Sequence, residues 1–205
     1  MNTGFALFYF LTSCVFTVSL FWHPYPFSFV VKVVPIGGLV YILLKQEKSK
    51  SVYLAIAAVI FSGLGDIALD LDRKKYFIFG LGFFLISHVF YIFTFLSIKK
   101  PDLSNRGRLL IIAGLLSIMV YLIHDKLGAL TIPVFLYMAV IATMASIASL
   151  TSGPGVFWGA VIFMLSDSMI AINKFVHPLG GFSIMIIITY YIAQYVIVTG
   201  LFRSE

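Results

Sequence analysis

The chain has 205 residues, of which 61% are hydrophobic and only 11% charged, and its mean hydropathy is +1.06. A water-soluble domain is about 45–50% apolar and about a quarter charged, so a cytosolic enzyme, a disordered chain and a soluble nucleic-acid binder are excluded. The net charge of +6, from 14 Lys and Arg against 8 Asp and Glu, falls mostly in short loops, where basic residues anchor topology rather than bind nucleic acid.

Taken in chain order, the hydrophobic runs predict helices over 4–22, 27–44, 52–70, 76–98, 107–124, 129–150, 155–175 and 179–202. They break at His23-Pro24-Tyr25-Pro26, Lys45 to Ser51, Asp70 to Lys75, Lys99 to Arg108, His124 to Gly128, Thr151 to Gly155 and His177-Pro178. A spanning helix takes about 20 apolar residues, so eight consume roughly 160 and leave no room for an extramembrane domain. Spanning strands would alternate polar and apolar residues, whereas these runs are apolar on both faces. Residues 1–22 lack a basic start and an A-x-A-like cleavage site, so they read as a retained first helix rather than a secretory signal. The expected fold class is all-α: a polytopic integral membrane bundle of eight transmembrane helices, one transmembrane domain over 1–205.

Basic residues suggest an orientation. The side holding both termini carries Lys45, Lys48, Lys50, Lys99, Lys100, Arg106, Arg108 and Arg203, and the other side Arg73, Lys74, Lys75, Lys126 and Lys174. The excess predicts a cell-membrane protein with both termini in the cytoplasm.

A shift of 101 residues superposes Asp66 on Asp167, Arg73 on Lys174 and Gly80 on Gly181. Such a duplication gives two four-helix halves, 1–100 and 101–205, related by an axis along the membrane normal. The two aspartates then lie at matching depth. Coincidence within apolar sequence is the competing explanation.

Ionisable side chains inside lipid are costly and by default mark a functional interior. The set here is Lys32, Asp66, His88, Asp167 and Lys174, with Asp70 and Asp72 near the membrane edge. At helical spacing Asp66 and Asp70 share a face with Ser62, and His88 shares one with Gly80, Phe84, Ser87 and Tyr91. The seventh run places Gly159, Phe163, Ser166, Asp167, Ile170 and Lys174 on one stripe, and the eighth offers Tyr190, Tyr191 and Gln194. These faces can converge on one polar cavity. The bland alternatives are helix-to-helix glue for the aspartates, charge neutralisation or snorkelling for Lys32 and Lys174, and a hydrogen-bonded core role for His88.

Other chemistries find no support. Cys14 is the single cysteine, which excludes an intramolecular disulfide and argues against a Cys-based zinc site. There is no G-x-S-x-G elbow and no H-E-x-x-H or H-x-x-x-H zinc spacing. Neither a metal nor a cofactor is expected. In a low-dielectric site, one of two neighbouring carboxylic acids keeps its proton near neutral pH while the other stays ionised. That division suits acid-labile C–O bonds, protonated by one group while the other stabilises an oxocarbenium-like cation or activates water.

Gly65-Asp66 followed by Phe79-Gly80, Phe83, His88 and Tyr91 resembles the signature of the YhhN family of lysoplasmalogenases. So do Lys32 with Pro35, Tyr137, Met144, Gly159-Ala160, Ser166-Asp167 and Ala193-Gln194. The resemblance covers nearly the whole chain. It implies hydrolysis of the vinyl ether bond of lysoplasmenyl-ethanolamine or lysoplasmenyl-choline to a fatty aldehyde and the glycerophospho-base. Lys32, Asp66 and Asp167 match the family pattern best, with His88, Tyr91, Tyr191 and Gln194 as accessory pocket positions; together with the polar stripes this puts Asp66 and Asp167 in catalysis and Lys32, His88, Tyr91, Tyr137, Lys174, Tyr191 and Gln194 around the substrate. The expected partners are a lysophospholipid substrate and membrane lipid, with no nucleic acid and no obligate protein partner. Which aspartate is the acid stays open; Lys174, beyond Asp167 on its stripe, suggests Asp167 as the ionised one. The competing class is a proton-coupled carrier, which also uses intramembrane acids, and a non-catalytic lipid-binding protein is a third.

Overall fold

Charge and Pro end the apolar runs, and the helices follow those boundaries. The computed structural model describes residues 3–99, 101–178 and 181–201, so Lys100 and Arg203, two of the basic residues assigned to the terminal side, lie outside the described residues. Helix α1 covers Thr3–Ser19 and runs on as a 3₁₀ turn, Leu20–Trp22. Then come α2 (Ser28–Leu44), α3 (Lys50–Leu71) and α4 (Phe77–Ile98). A 3₁₀ segment, Leu103–Arg108, leads into α5 (Leu109–Ile123), followed by α6 (Thr131–Thr151) and α7 (Pro154–Ala171). α7 continues as a π-helical turn over Ile172–Val176, and α8 covers Phe182–Leu201. No strand occurs among the described residues.

Seven of these segments are long and apolar enough to cross a bilayer. The eighth, α2, has 17 residues, about 26 Å at 1.5 Å per residue, against a hydrocarbon core of about 30 Å. Its start is set by Phe27, whose φ of 61° is left-handed, a conformation that does not propagate a right-handed helix. Large apolar side chains such as Phe21, Leu110 and Ile132 are exposed; in a bilayer they face acyl chains. The chain is an all-α, multi-pass membrane protein.

The loops carry the capping groups. The Ser49 hydroxyl accepts from the Val52 amide at 3.3 Å at the start of α3. Asp72, expected near the membrane edge, is an exposed turn residue whose Oδ1 accepts from the amides of Lys74 (2.8 Å) and Lys75 (2.9 Å). Those bonds give it a structural task.

The chain divides into two compact units, Met1–Thr94 and Phe95–Glu205. In the first, α1 packs on α2 and α2 on α3, with Tyr9, Phe16, Leu39 and Val59 fully buried. α3 also meets α4 closely: a Cβ on Gly65 would come within 2.7 Å of the Phe84 ring. Ser62 and Ser87 join the same two helices through a 2.7 Å hydroxyl pair, and Ser87 donates to the Ala58 carbonyl at 2.8 Å. In the second unit α7 and α8 form the main antiparallel contact. There a Cβ on Gly159 would lie 2.9 Å from the Ile197 side chain and 3.1 Å from its amide nitrogen. Small residues at such crossings let helix backbones approach, the usual basis of association in lipid.

Candidate active site

In the first unit the intramembrane polar groups form two rungs between α2 and α3. Lys32 and Asp66 are 4% and 3% exposed; Lys32 Nζ lies 3.2 Å from Asp66 Oδ1. The same ammonium donates to the Asp66 carbonyl at 3.4 Å and stands 5.9 Å from the centre of the Phe16 ring. One turn outward, Ser28 precedes Lys32 by four residues and Asp70 follows Asp66 by four, so both stay on the facing stripes. The Ser28 hydroxyl donates to Asp70 Oδ2, and His23 Nε2 lies 3.3 Å from Asp70 Oδ1. A buried ion pair recovers its desolvation cost only when good geometry and further hydrogen bonds accompany it. Lys32 meets that condition through the carboxylate, the carbonyl and the aromatic face.

His88 and Tyr91 project from α4, both with no exposed surface, on the same helix as Ser87, which ties α4 to α3. The stripe read from spacing, Gly80, Phe84, Ser87, His88 and Tyr91, is the buried face of α4.

In the second unit the Tyr137 hydroxyl, on α6, donates to Asp167 Oδ2 on α7. Asp167 is half-buried and Tyr137 buried. The neighbouring Ser166 turns to α8, donating to the Ile186 carbonyl at 2.9 Å, so the two adjacent side chains serve different helices. α8 contributes a buried polar group of its own. Gln194 Nε2 donates to the Tyr190 hydroxyl at 3.4 Å, Tyr190 meets Phe163 edge-on at 5.5 Å, and the Tyr190 and Tyr191 ring centres are also 5.5 Å apart.

Within a unit, Lys32 reaches Asp66, Tyr137 reaches Asp167, and Tyr191 and Gln194 are buried on α8. Lys174 lies in the π turn that follows α7. The π turn from Ile172 winds more residues into each turn than the α-helix before it. Lys174 is half-buried there, with Nζ 5.8 Å from the Phe175 ring centre. Two contributors were not singled out from the sequence: Ser28 and His23. The four-residue spacing to Lys32 marks Ser28 in retrospect, whereas His23 lies outside the helices and no periodicity reports it.

Comparison with known proteins places the chain. The YhhN family profile matches residues 27–201. Lysoplasmalogenase TMEM86A of Homo sapiens is 32% identical over 158 residues, covering 72% of this chain and 64% of the human protein. Lysoplasmalogenase of Mycobacterium bovis is 30% identical over 155 residues, or 72% of this chain and 59% of that protein. Lysoplasmalogenase TMEM86B of Mus musculus is 30% identical over 182 residues, 86% of this chain and 76% of the mouse protein. The matched region thus spans about three fifths of the mycobacterial relative's length. No solved structure matches the chain. Given the profile match over residues 27–201 and the extent of these identities, the chain belongs to the YhhN family.

Proposed function

We propose that this protein is a membrane-embedded lysoplasmalogenase, hydrolysing the vinyl ether bond of a lysophospholipid drawn from the surrounding lipid. The observation that carries this reading is a pair of intramembrane aspartates, each held by a designated partner, Lys32 for Asp66 and Tyr137 for Asp167. Family membership and the names of the mycobacterial, human and mouse relatives support the substrate class.

In this mechanism Asp167 is the general acid and Asp66, balanced by the Lys32 ammonium, is the ionised carboxylate. The ion pair favours this assignment over the one Lys174 suggested. Asp167 gives its proton to the β-carbon of the vinyl ether; the double-bond electrons form the new C–H bond and leave an oxocarbenium ion. Asp66 stabilises that cation electrostatically and takes a proton from the water that adds to the α-carbon. The resulting hemiacetal collapses: its hydroxyl proton passes to Asp167, the C–O bond to glycerol breaks, and Asp66 gives the proton it took from water to the departing glycerol oxygen. A fatty aldehyde and the glycerophospho-base result. Tyr137 orients Asp167, and His88, Tyr91, Lys174, Tyr191 and Gln194 contribute polar and aromatic surface for the substrate.

We further place the protein in the cell membrane with both termini cytoplasmic, and read it as one transmembrane domain built from two halves. The deciding experiment supplies a vinyl-ether lysolipid to the purified full chain in detergent. Release of long-chain aldehyde is expected, and none should come from the saturated ether analogue. Proton-coupled uptake into liposomes without aldehyde would instead identify a carrier.

A further inference from the structure

Unit Phe95–Glu205 contains a basic cavity that the aspartate chemistry does not use. It has a volume of about 650 Å³ and is lined by, among others, Lys99, Asn105, Arg108, Thr151, Gly155 and Thr199. That volume lies within the range of about 300–1,000 Å³ typical of small-molecule sites. Two cations and several hydroxyl and amide groups line it, and no acidic residue is among the described residues that do so. Arg108 lies over the Phe157 ring, its guanidinium carbon 5.1 Å from the ring centre, and its Nη1 is buried without a hydrogen-bond partner among the described residues. A buried N–H of this kind is costly to leave unmade, and an acceptor carried in by a ligand would satisfy it.

The backbone adds donors at the same place. α7 starts from Gly153, which brings no side-chain cap. Phe157 N bonds back to the Gly153 carbonyl at 3.3 Å, so the amides of Gly155 and Val156, both on the cavity wall, are among the donors a helix start leaves open. The nearby Asp102 accepts from the Ser104 amide (2.9 Å) and hydroxyl (2.8 Å); its charge also acts on Lys99, which leaves Arg108 as the principal cation of the cavity.

We infer that this cavity binds a phosphate group carried by a ligand, gripped by the Arg108 fork, by Lys99 as a point charge and by the first amides of α7. Planar guanidinium donors and helix-start amides are the groups that recognise phosphate oxygens. The ligand is not the reacting lipid. Asp167 lies thirteen positions beyond Pro154 on α7, about 20 Å of helix, farther than a glycerol backbone reaches between a phosphate and its vinyl ether. The bound phosphate comes either from an anionic phospholipid entering from the bilayer or from a soluble phosphate ester.

The test places the full chain in phosphatidylcholine nanodiscs and follows its thermal midpoint. One arm titrates phosphatidylglycerol into the bilayer, and a second titrates inorganic phosphate in buffer against chloride of equal ionic strength. The midpoint should rise in at least one arm: phosphatidylglycerol alone assigns a lipid headgroup, and inorganic phosphate a soluble ester. In Arg108→Gln the apparent affinity should fall at least tenfold and in Lys99→Gln severalfold, with aldehyde release unchanged in both. No rise in either arm, or the same response in both variants as in the parent, overturns the inference. Should Arg108→Gln not fold, Lys99→Gln decides, and an unaltered response there overturns it.

Discussion

In Met1–Thr94 the intramembrane aspartate meets an ammonium, whereas in Phe95–Glu205 it meets a phenol. Asp66 and Lys32 are a charge pair with almost no exposed surface. Asp167 is half-buried and accepts a hydrogen bond from Tyr137. The two arrangements differ in what they cost to disturb. An ion pair in a low-dielectric setting binds its members to each other, because either alone is an uncompensated charge. A phenol–carboxylate bond tolerates either protonation state of the acid, since the neutral acid remains a hydrogen-bonding group. One unit therefore holds its aspartate through a charge pair and the other through a hydrogen bond.

The largest expected effect is on catalysis. Asp66→Asn and Asp167→Asn should each lower aldehyde release by about 10²- to 10⁴-fold, the usual worth of a positioned acid or base. Full activity in either variant would remove that carboxylate from the reaction and leave the comparison without a functional meaning.

Stability separates the two aspartates next. Lys32→Met leaves Asp66 buried without its counter-charge and should cost about 3–5 kcal/mol. Tyr137→Phe removes a single hydrogen bond to a carboxyl group and should cost about 1.5–3 kcal/mol. Denaturant unfolding in detergent reads both, and equal losses would erase the distinction. Combining Lys32→Met with Asp66→Asn should recover much of the stability, since a neutral pair has no charge to strand, but none of the activity.

A smaller contrast concerns the helix crossings. Gly65→Ala and Gly159→Ala each overpack a contact, at about 1–3 kcal/mol. The obstacle at Gly65 is the Phe84 ring, a side chain able to swing, whereas Gly159 also meets the backbone nitrogen of Ile197. Gly159→Ala should therefore be the more damaging in thermal unfolding, and the reverse order would place the rigid contact in the first unit.

The smallest effect is on pH dependence, in the loops. The amides of Lys75 and then Lys74 hold the Asp72 carboxyl below the usual carboxylate range, and the amide and then the hydroxyl of Ser104 do the same for Asp102. A depressed folded-state value stabilises the protein above the unfolded pKa of about 3.9, and that contribution is lost as pH falls through the folded value. Both groups are fully exposed, so the shift in thermal midpoint on acidification should be slight. Asp72→Asn and Asp102→Asn should each flatten it, and an unchanged acid slope in either would mean that turn contributes nothing.

Much of the molecule could be read from the chain alone, for a local reason. A run of apolar residues closed by Lys45 or by His177-Pro178 ends a spanning helix wherever its neighbours lie, because backbone groups in lipid must bond within the segment. The predicted 52–70 and 76–98 are observed as Lys50–Leu71 and Phe77–Ile98, close to the expected ends. The same logic singled out Lys32, Asp66 and Asp167, since charge inside an apolar run is conspicuous. Tyr137 was a different matter: one tyrosine among 11, it stood out only through the resemblance to a family.

Composition and spacing thus determined that the chain is a helical membrane protein, where its helices run and which side chains are too polar to sit in lipid idly. Tertiary structure alone decided their company. It brought Ser28 and His23 to Asp70, joined Lys32 to Asp66 and Tyr137 to Asp167, and put a π turn after Ala171. Helix formation is settled by neighbours a few residues away, whereas the partner of a buried carboxylate depends on how two helices cross, and residues 30 or more positions apart meet only through that crossing.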